Sequence, residues 1–123
     1  MMKDANQRAN KHWEYVPRKP RHEAADTCGL ELRVETDRKF VNADMLDCSR
    51  QGTRLQLSES VPIGEEVTLH FSAPSEMIDW STMAKIRWCC ANATGWECGC
   101  EFPTELAWEH LGQLLLGGFL STD

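Results

Sequence analysis

The sequence lacks the long apolar segments that membrane insertion or secretion requires. No hydrophobic stretch approaches the roughly 20 residues of a membrane-spanning helix. The first ten residues are polar and contain no apolar segment of the kind found in secretory signals. Internal repeats and low-complexity segments are also absent. These absences predict a cytoplasmic chain that does not insert into a membrane.

The sequence has no cysteine pairs at the spacing of a structural zinc site. Its six cysteines include the adjacent Cys89 and Cys90 and the C-x-C pair Cys98 and Cys100, whereas structural zinc sites use C-x₂₋₄-C pairs. Disulfides are rare in the cytosol. The spacing therefore favours small buried hydrophobic side chains, and a metal or redox role is the alternative.

The sequence also lacks a recognisable catalytic set. Its four histidines show no metal-ligand spacing, and no Ser, His and Asp residues suggest a triad. Asp47 and Ser49 have no evident base beside them, which a nucleophile would need. We therefore expect neither an enzyme nor a bound metal or cofactor.

The charge of the chain is unevenly distributed. Residues 1–25 carry six Lys or Arg and three acids, a net charge of +3, while residues 26–123 carry seven bases and sixteen acids, a net charge of −9. An acidic body excludes a broad DNA- or RNA-binding face. The short basic arm suits a small anion, or it is a solvated tail.

Period-two alternation of apolar residues predicts six short strands after the arm. They lie near residues 30–34, 40–46, 53–57, 67–71, 84–90 and 96–102. Pro62-Ile63-Gly64 predicts a turn, and Pro74 and several serines predict a loop over residues 72–81. Strands of this length and spacing are typical of a small barrel or sandwich.

A helical pattern replaces the alternation after Pro103. Thr104 is a plausible N-cap with Glu105 in the first turn, and Gly117-Gly118 is expected to end the helix. The apolar positions at helical spacing are Leu106, Trp108, Leu111, Leu114 and Leu115. The predicted organisation is a flexible basic arm (1–25), an all-β domain with one terminal helix (26–118) and a tail (119–123).

The stretch Asp47-Cys48-Ser49-Arg50-Gln51-Gly52 lies between two predicted strands. Asp47 and Ser49 are two residues apart, so in extended backbone both point to one side. A carboxylate there can accept both N–H groups on the edge of a guanine, and Gly52 would allow a turn with positive φ. The alternative is a turn in which Asp47 and Ser49 cap their own backbone.

A second motif, Arg18-Lys19-Pro20-Arg21, lies just upstream of the first strand. Guanidinium groups suit phosphates and the O6/N7 edge of guanine, and Pro20 stiffens the segment, which lowers the ordering cost of binding. The alternative is a solvated basic linker.

Together the two motifs resemble the PilZ domain family. D-x-S-x-x-G follows the arginines by about 25 residues within a pattern of six strands and one helix, and Gly99-Cys100-Glu101-Phe102 resembles the G-x-x-F of that family's last strand. The resemblance covers roughly residues 17–115. It implies a six-stranded antiparallel PilZ-type β-barrel with a C-terminal α-helix, and a bacterial receptor for cyclic di-GMP that is not an enzyme.

Carried over by position, the resemblance implies that Asp47 and Ser49 hold a guanine edge and that Gly52 shapes the turn. It also implies that the arginine motif, here Arg18 and Arg21, closes over the ligand and signals to a partner protein. The family pattern is R-x-x-x-R, so Arg18 and Arg21 are one residue too close.

A charge-assisted hydrogen bond contributes about 1.5–3 kcal/mol, so losing one guanidinium would weaken binding on the order of 10- to 100-fold, unless Lys19 or Arg54 compensates. The alternative function is a PilZ-fold interaction module, monomeric or homodimeric, that no longer binds the nucleotide.

Overall fold

Seven antiparallel strands and one α-helix make up residues 20–122, which are the residues that this computed structural model describes. The elements are β1 (His22–Glu23), β2 (Glu31–Glu35), β3 (Phe40–Cys48), β4 (Gly52–Leu57), β5 (Glu66–Ala73), β6 (Ile78–Asn92), β7 (Gly95–Glu101) and α1 (Trp108–Leu116).

Strands β2 to β7 close into a six-stranded antiparallel barrel, as the sequence predicted. The strand order is β1-β3-β2-β5-β6-β7-β4, and an additional pairing of β3 with β4 closes the ring. Strand β3 can pair with both neighbours because it is nine residues long. Its first part faces β2, its last part faces β4, and a register shift separates Met45 from Asp47.

The barrel interior is filled by alternate residues of each strand, which is the period-two pattern seen in the sequence. Val34, Leu55, Leu69 and Ile86 are completely buried there. Because Leu55 and Leu57 face inward, Arg54 and Gln56 lie on the outer surface of β4. This alternation places the polar residues of the site outside the barrel.

The predicted loop over residues 72–81 is much shorter in the structure. Strand β5 continues to Ala73, a 3₁₀ turn covers Pro74–Glu76, and β6 begins at Ile78. Pro74 and the serines correctly indicated a turn, but the strand pairing resumes at once, with Ala73 opposite Ile78.

The helix begins later than the cap motif predicted. Thr104 does not cap it, since α1 begins at Trp108 and its N-cap residue, Ala107, makes no side-chain cap hydrogen bond. The N–H of Leu106 instead donates to the carbonyl of Arg50, at 2.8 Å. The segment before the helix is therefore held by the β3–β4 turn.

The end of the helix agrees with the sequence. Gly117 and Gly118 donate N–H groups to the last turn of α1, and Gly118 has a φ of 83°, a conformation that glycine adopts without strain. Phe119 and Leu120, assigned to the tail, are buried. The predicted domain boundary at residue 118 thus leaves two residues of the core outside the domain.

Three of the six cysteines, Cys48, Cys98 and Cys100, are buried, as expected for small hydrophobic side chains. The expectation was wrong for the other three, since Cys28 and Cys90 are exposed and Cys89 is half-buried. The Cys98 and Cys100 sulfurs lie 3.8 Å apart. Burial, together with the charge of Asp47, raises the pKa of the Cys48 thiol to about 12.

This raised pKa predicts alkaline destabilisation. The Cys48 thiol of the unfolded chain ionises near pH 9.0 and that of the folded chain near 12. The stability that the protonated Cys48 thiol contributes to the folded state is fully present below pH 9 and is lost as the pH rises towards 12. Between pH 9 and 11 we expect the free energy of unfolding to fall by about 2 kcal/mol more than in Cys48→Ala. Urea unfolding of both proteins checks this, and equal pH dependence would contradict it.

Candidate ligand-binding site

Residues 49–51 link β3 to β4 in a tight turn that uses the hydroxyl of Ser49. The Ser49 N–H donates to the Gly52 carbonyl at 2.8 Å, and the Ser49 Oγ accepts the N–H of Gln51 at 3.1 Å. Ser49 is buried. Its side chain therefore caps its own turn, the alternative that the motif had left open.

Gly52 shapes this turn in a different way from the prediction. It is not among the glycines with positive φ, so the expected left-handed conformation was wrong. A Cβ at Gly52 would lie 2.2 Å from the carbonyl oxygen of Cys100. Glycine is needed because β4 passes very close to the backbone of β7, where Gly52 pairs with Glu101.

The buried carboxylate of Asp47 is the centre of the site. Its side chain is 2% exposed. Oδ1 accepts Nη1 of Arg21 at 2.8 Å and the backbone N–H of Arg54 at 3.1 Å, and Oδ2 accepts Nε of Arg54 at 3.0 Å. A carboxylate offers about four acceptor positions, so three are already used within the chain.

Arg54 is a site residue that the D-x-S-x-x-G motif does not include. It pairs directly with Asp47 across β3 and β4, and it also forms ion pairs with Glu97 at 2.9 Å and Glu23 at 3.7 Å. The hydrogen bonds that Arg54 donates to Glu97 and Asp47 raise its pKa above the ordinary value. The only sequence signal was its position on the polar face of β4.

Arg21 lies at the point where the basic arm joins the sheet. The next two residues form β1, which pairs with the end of β3, with Glu23 opposite Asp47. On the other side of β1, the Ser121 N–H donates to the Glu23 carbonyl at 2.8 Å. Residues 22 and 23 of the predicted arm thus belong to the sheet.

The structure brings four of the five predicted site residues to one edge of the barrel. Arg21 contacts Asp47 directly, and Ser49 and Gly52 form the adjoining turn. Arg18 lies outside the described residues, so its place in the site stays a prediction.

The PilZ domain family model matches residues 18–117. This chain belongs to the PilZ domain family. A search of solved structures finds the Bacillus subtilis Inhibitor of motility (MotI/DgrA), with a TM-score of 0.60 and 17% sequence identity. The match covers 82% of this chain and 49% of that chain, so this chain spans about half the length of that protein. At this identity, the similarity shows the fold alone. No curated protein matches the chain.

The turn of this PilZ domain is also attached to the start of the helix. The Arg50 Nε donates to the carbonyl of Leu106 at 2.7 Å, and its guanidinium lies 4.1 Å from the centroid of the Trp108 ring. Trp108 itself is 66% exposed, although it is one of the apolar positions at helical spacing in the sequence. The D-x-S-x-x-G turn and α1 are therefore connected by direct contacts.

Neither comparison indicates a catalytic family. Within residues 20–122 of the PilZ domain, no group of three His, Cys, Asp or Glu side chains could hold a metal ion. The same part of the chain contains no helix long and apolar enough to span a membrane.

Proposed function

We propose that this PilZ domain is a cyclic di-GMP receptor and adaptor, with Arg18, Arg21, Asp47, Ser49 and Gly52 at the ligand site. The observation that carries the proposal is the 2.8 Å contact between Arg21 and Asp47. Both halves of the family motif therefore meet at one carboxylate, despite the short spacing of the arginines.

Binding in this proposal exchanges one partner of Asp47 for another. Guanine presents two N–H donors on one edge, and Asp47 has about one acceptor position left. The guanine therefore displaces Arg21 from Oδ1. Arg21 is 47% exposed, so the released guanidinium can turn towards a phosphate of the same ligand, which it suits.

The signal would then pass through the contacts on either side of α1. In the strand that follows Arg21, the Glu23 carbonyl accepts the N–H of Ser121, which lies beyond the end of α1, and Arg50 of the turn holds Leu106 and Trp108. A change at the site thus shifts the surface around α1, which a downstream protein reads. The proposal places the receptor in the bacterial cytoplasm, without a nucleic-acid partner.

Calorimetric titration of the purified protein with cyclic di-GMP tests the proposal. We expect a dissociation constant in the micromolar range or tighter. Arg21→Ala should weaken binding on the order of 10- to 100-fold, because a charge-assisted hydrogen bond is lost. Arg38→Ala, which removes an exposed arginine outside the site, is the matched control and should bind like wild type. Cyclic di-AMP should not bind, because adenine lacks the paired N–H donors.

The second candidate function is a PilZ-fold interaction module that binds no nucleotide. The observation that favours it is that Arg21 and Arg54 already satisfy Asp47 within the chain. Absence of heat and of a thermal shift at high ligand concentration, in protein shown to be folded, would overturn the receptor proposal and favour this second function.

A further inference from the structure

Two guanidinium groups converge on the single carboxylate of Asp47. Arg21 contacts Oδ1 at 2.8 Å and Arg54 contacts Oδ2 at 3.0 Å. Asp47 is 2% exposed, whereas the arginine side chains are 47% and 32% exposed. The two cations therefore form the solvent-facing rim of a buried carboxylate.

Arg54 retains hydrogen-bonding capacity on this rim. A guanidinium has five N–H donors. Asp47 accepts one of them at Nε and Glu97 accepts one at Nη1. The Glu23 oxygen lies 3.7 Å from Nη2, beyond hydrogen-bond distance. Within residues 20–122, the remaining Nη donors of Arg54 thus have no hydrogen-bond partner, and a phosphate can accept from such a fork in a bidentate manner.

The carboxylates around Arg54 compete with any anionic ligand. Asp47, Glu23 and Glu97 oppose Arg21 and Arg54, so the cluster carries a net charge of −1. A phosphate that approaches the remaining donors of Arg54 is repelled by Glu97, and it gains the donor at Nη1 only by replacing that carboxylate. Glu97 is 29% exposed, so it can move into water when it is displaced.

We propose that Arg54 is a ligand-binding residue that supplies the second guanidinium for the phosphates of cyclic di-GMP, and that Glu97 occupies it when no ligand is bound. This assignment rests on the proposed receptor function. It also accounts for the short Arg18–Arg21 spacing, since the missing guanidinium comes from β4 instead of the arm.

Titrations of four variants with cyclic di-GMP test the assignment. Arg54→Ala should weaken binding on the order of 10- to 100-fold. Glu97→Gln should tighten it by up to about 5-fold, the effect of removing one exposed ion pair. In the double variant Arg54→Ala/Glu97→Gln, the affinity should equal that of Arg54→Ala, so that Glu97→Gln gives no gain. Glu101→Gln is the matched control, because Glu101 is also on β7 and pairs with Arg87 at 2.6 Å; its affinity should equal that of wild type.

The outcomes separate this assignment from the receptor proposal. If the wild-type protein binds cyclic di-GMP and Arg54→Ala binds it equally tightly, the assignment of Arg54 is overturned but the receptor proposal stands. If Arg54 merely positioned Asp47, Glu97→Gln would leave the affinity unchanged. A gain that persists in the double variant would show that Glu97 acts by long-range repulsion, which also overturns the assignment. No binding by folded wild-type protein would overturn the receptor function and this assignment with it.

Discussion

Replacing Asp47 with alanine is expected to abolish cyclic di-GMP binding and to lower the free energy of unfolding by about 2–4 kcal/mol. The buried carboxylate accepts three hydrogen bonds from Arg21 and Arg54. Its removal leaves the backbone N–H of Arg54 unsatisfied and takes a carboxylate away from both guanidinium groups, of which Arg54 keeps its ion pairs with Glu97 and Glu23. Because both arginine side chains are partly exposed, water recovers part of the loss, so the cost stays below that of breaking a fully buried ion pair.

Asp47→Asn separates the charge from the shape of this side chain. The amide keeps the volume and one acceptor oxygen but loses the charge. We expect it to be less destabilised than the alanine variant and to bind with reduced affinity. Urea unfolding and calorimetric titration of the same samples measure both effects.

The matched control for Asp47 is Asp44→Ala on the same strand. Asp44 is exposed on β3, and its replacement should change stability by no more than about 0.5 kcal/mol. An Asp47→Ala protein as stable as the Asp44→Ala protein would contradict the central role of the carboxylate. An Asp47→Ala protein that binds like wild type would remove Asp47 from the site.

Gly52→Ala is expected to lower the free energy of unfolding by about 2–4 kcal/mol and to impair ligand binding. The added Cβ would lie 2.2 Å from the Cys100 carbonyl oxygen. The Cβ is fixed to the backbone of β4 and the oxygen belongs to the backbone of β7, so neither can move aside without loss of the β4–β7 pairing. The displaced strand would carry the turn at Ser49 with it.

Gly112→Ala is the matched control and should have the opposite sign. Gly112 lies within α1, and a Cβ there would meet nothing within 4 Å. Alanine is favoured over glycine in a helix by about 0.5–1 kcal/mol, so this variant should be slightly more stable than wild type. Urea unfolding of both glycine variants checks the pair of predictions, and a similar loss in both would refute the steric explanation.

The strand pattern was predictable because it depends on nearest neighbours along the chain. Alternating apolar residues such as Leu55 and Leu57 can bury one face only as a strand, and the turn at Pro62-Ile63-Gly64 follows from local backbone preferences. The family motif then indicated a barrel, and the structure confirmed it. The contents of the barrel core were therefore largely determined by the sequence.

The helix start and the role of Gly52 were not predictable, because each depends on a residue distant along the chain. Leu106 is held by Arg50, so a good N-cap at Thr104 remains unused. The need for glycine at position 52 arises from Cys100, which approaches only when β4 and β7 pair. Local propensity contains no information on either contact.

The sequence by itself determined the six barrel strands, which face of each strand is apolar, and that Asp47, Ser49 and Gly52 lie around the connection between two of those strands. Only the tertiary structure decided what surrounds Asp47. Barrel closure sets β4 beside β3 and thus places Arg54 against the Asp47 carboxylate. The pairing of β1 with β3 brings Arg21, which is 26 residues away in sequence, to the same carboxylate. Such partners come from different strands, so their meeting depends on strand register, which the period-two pattern of a single strand does not encode.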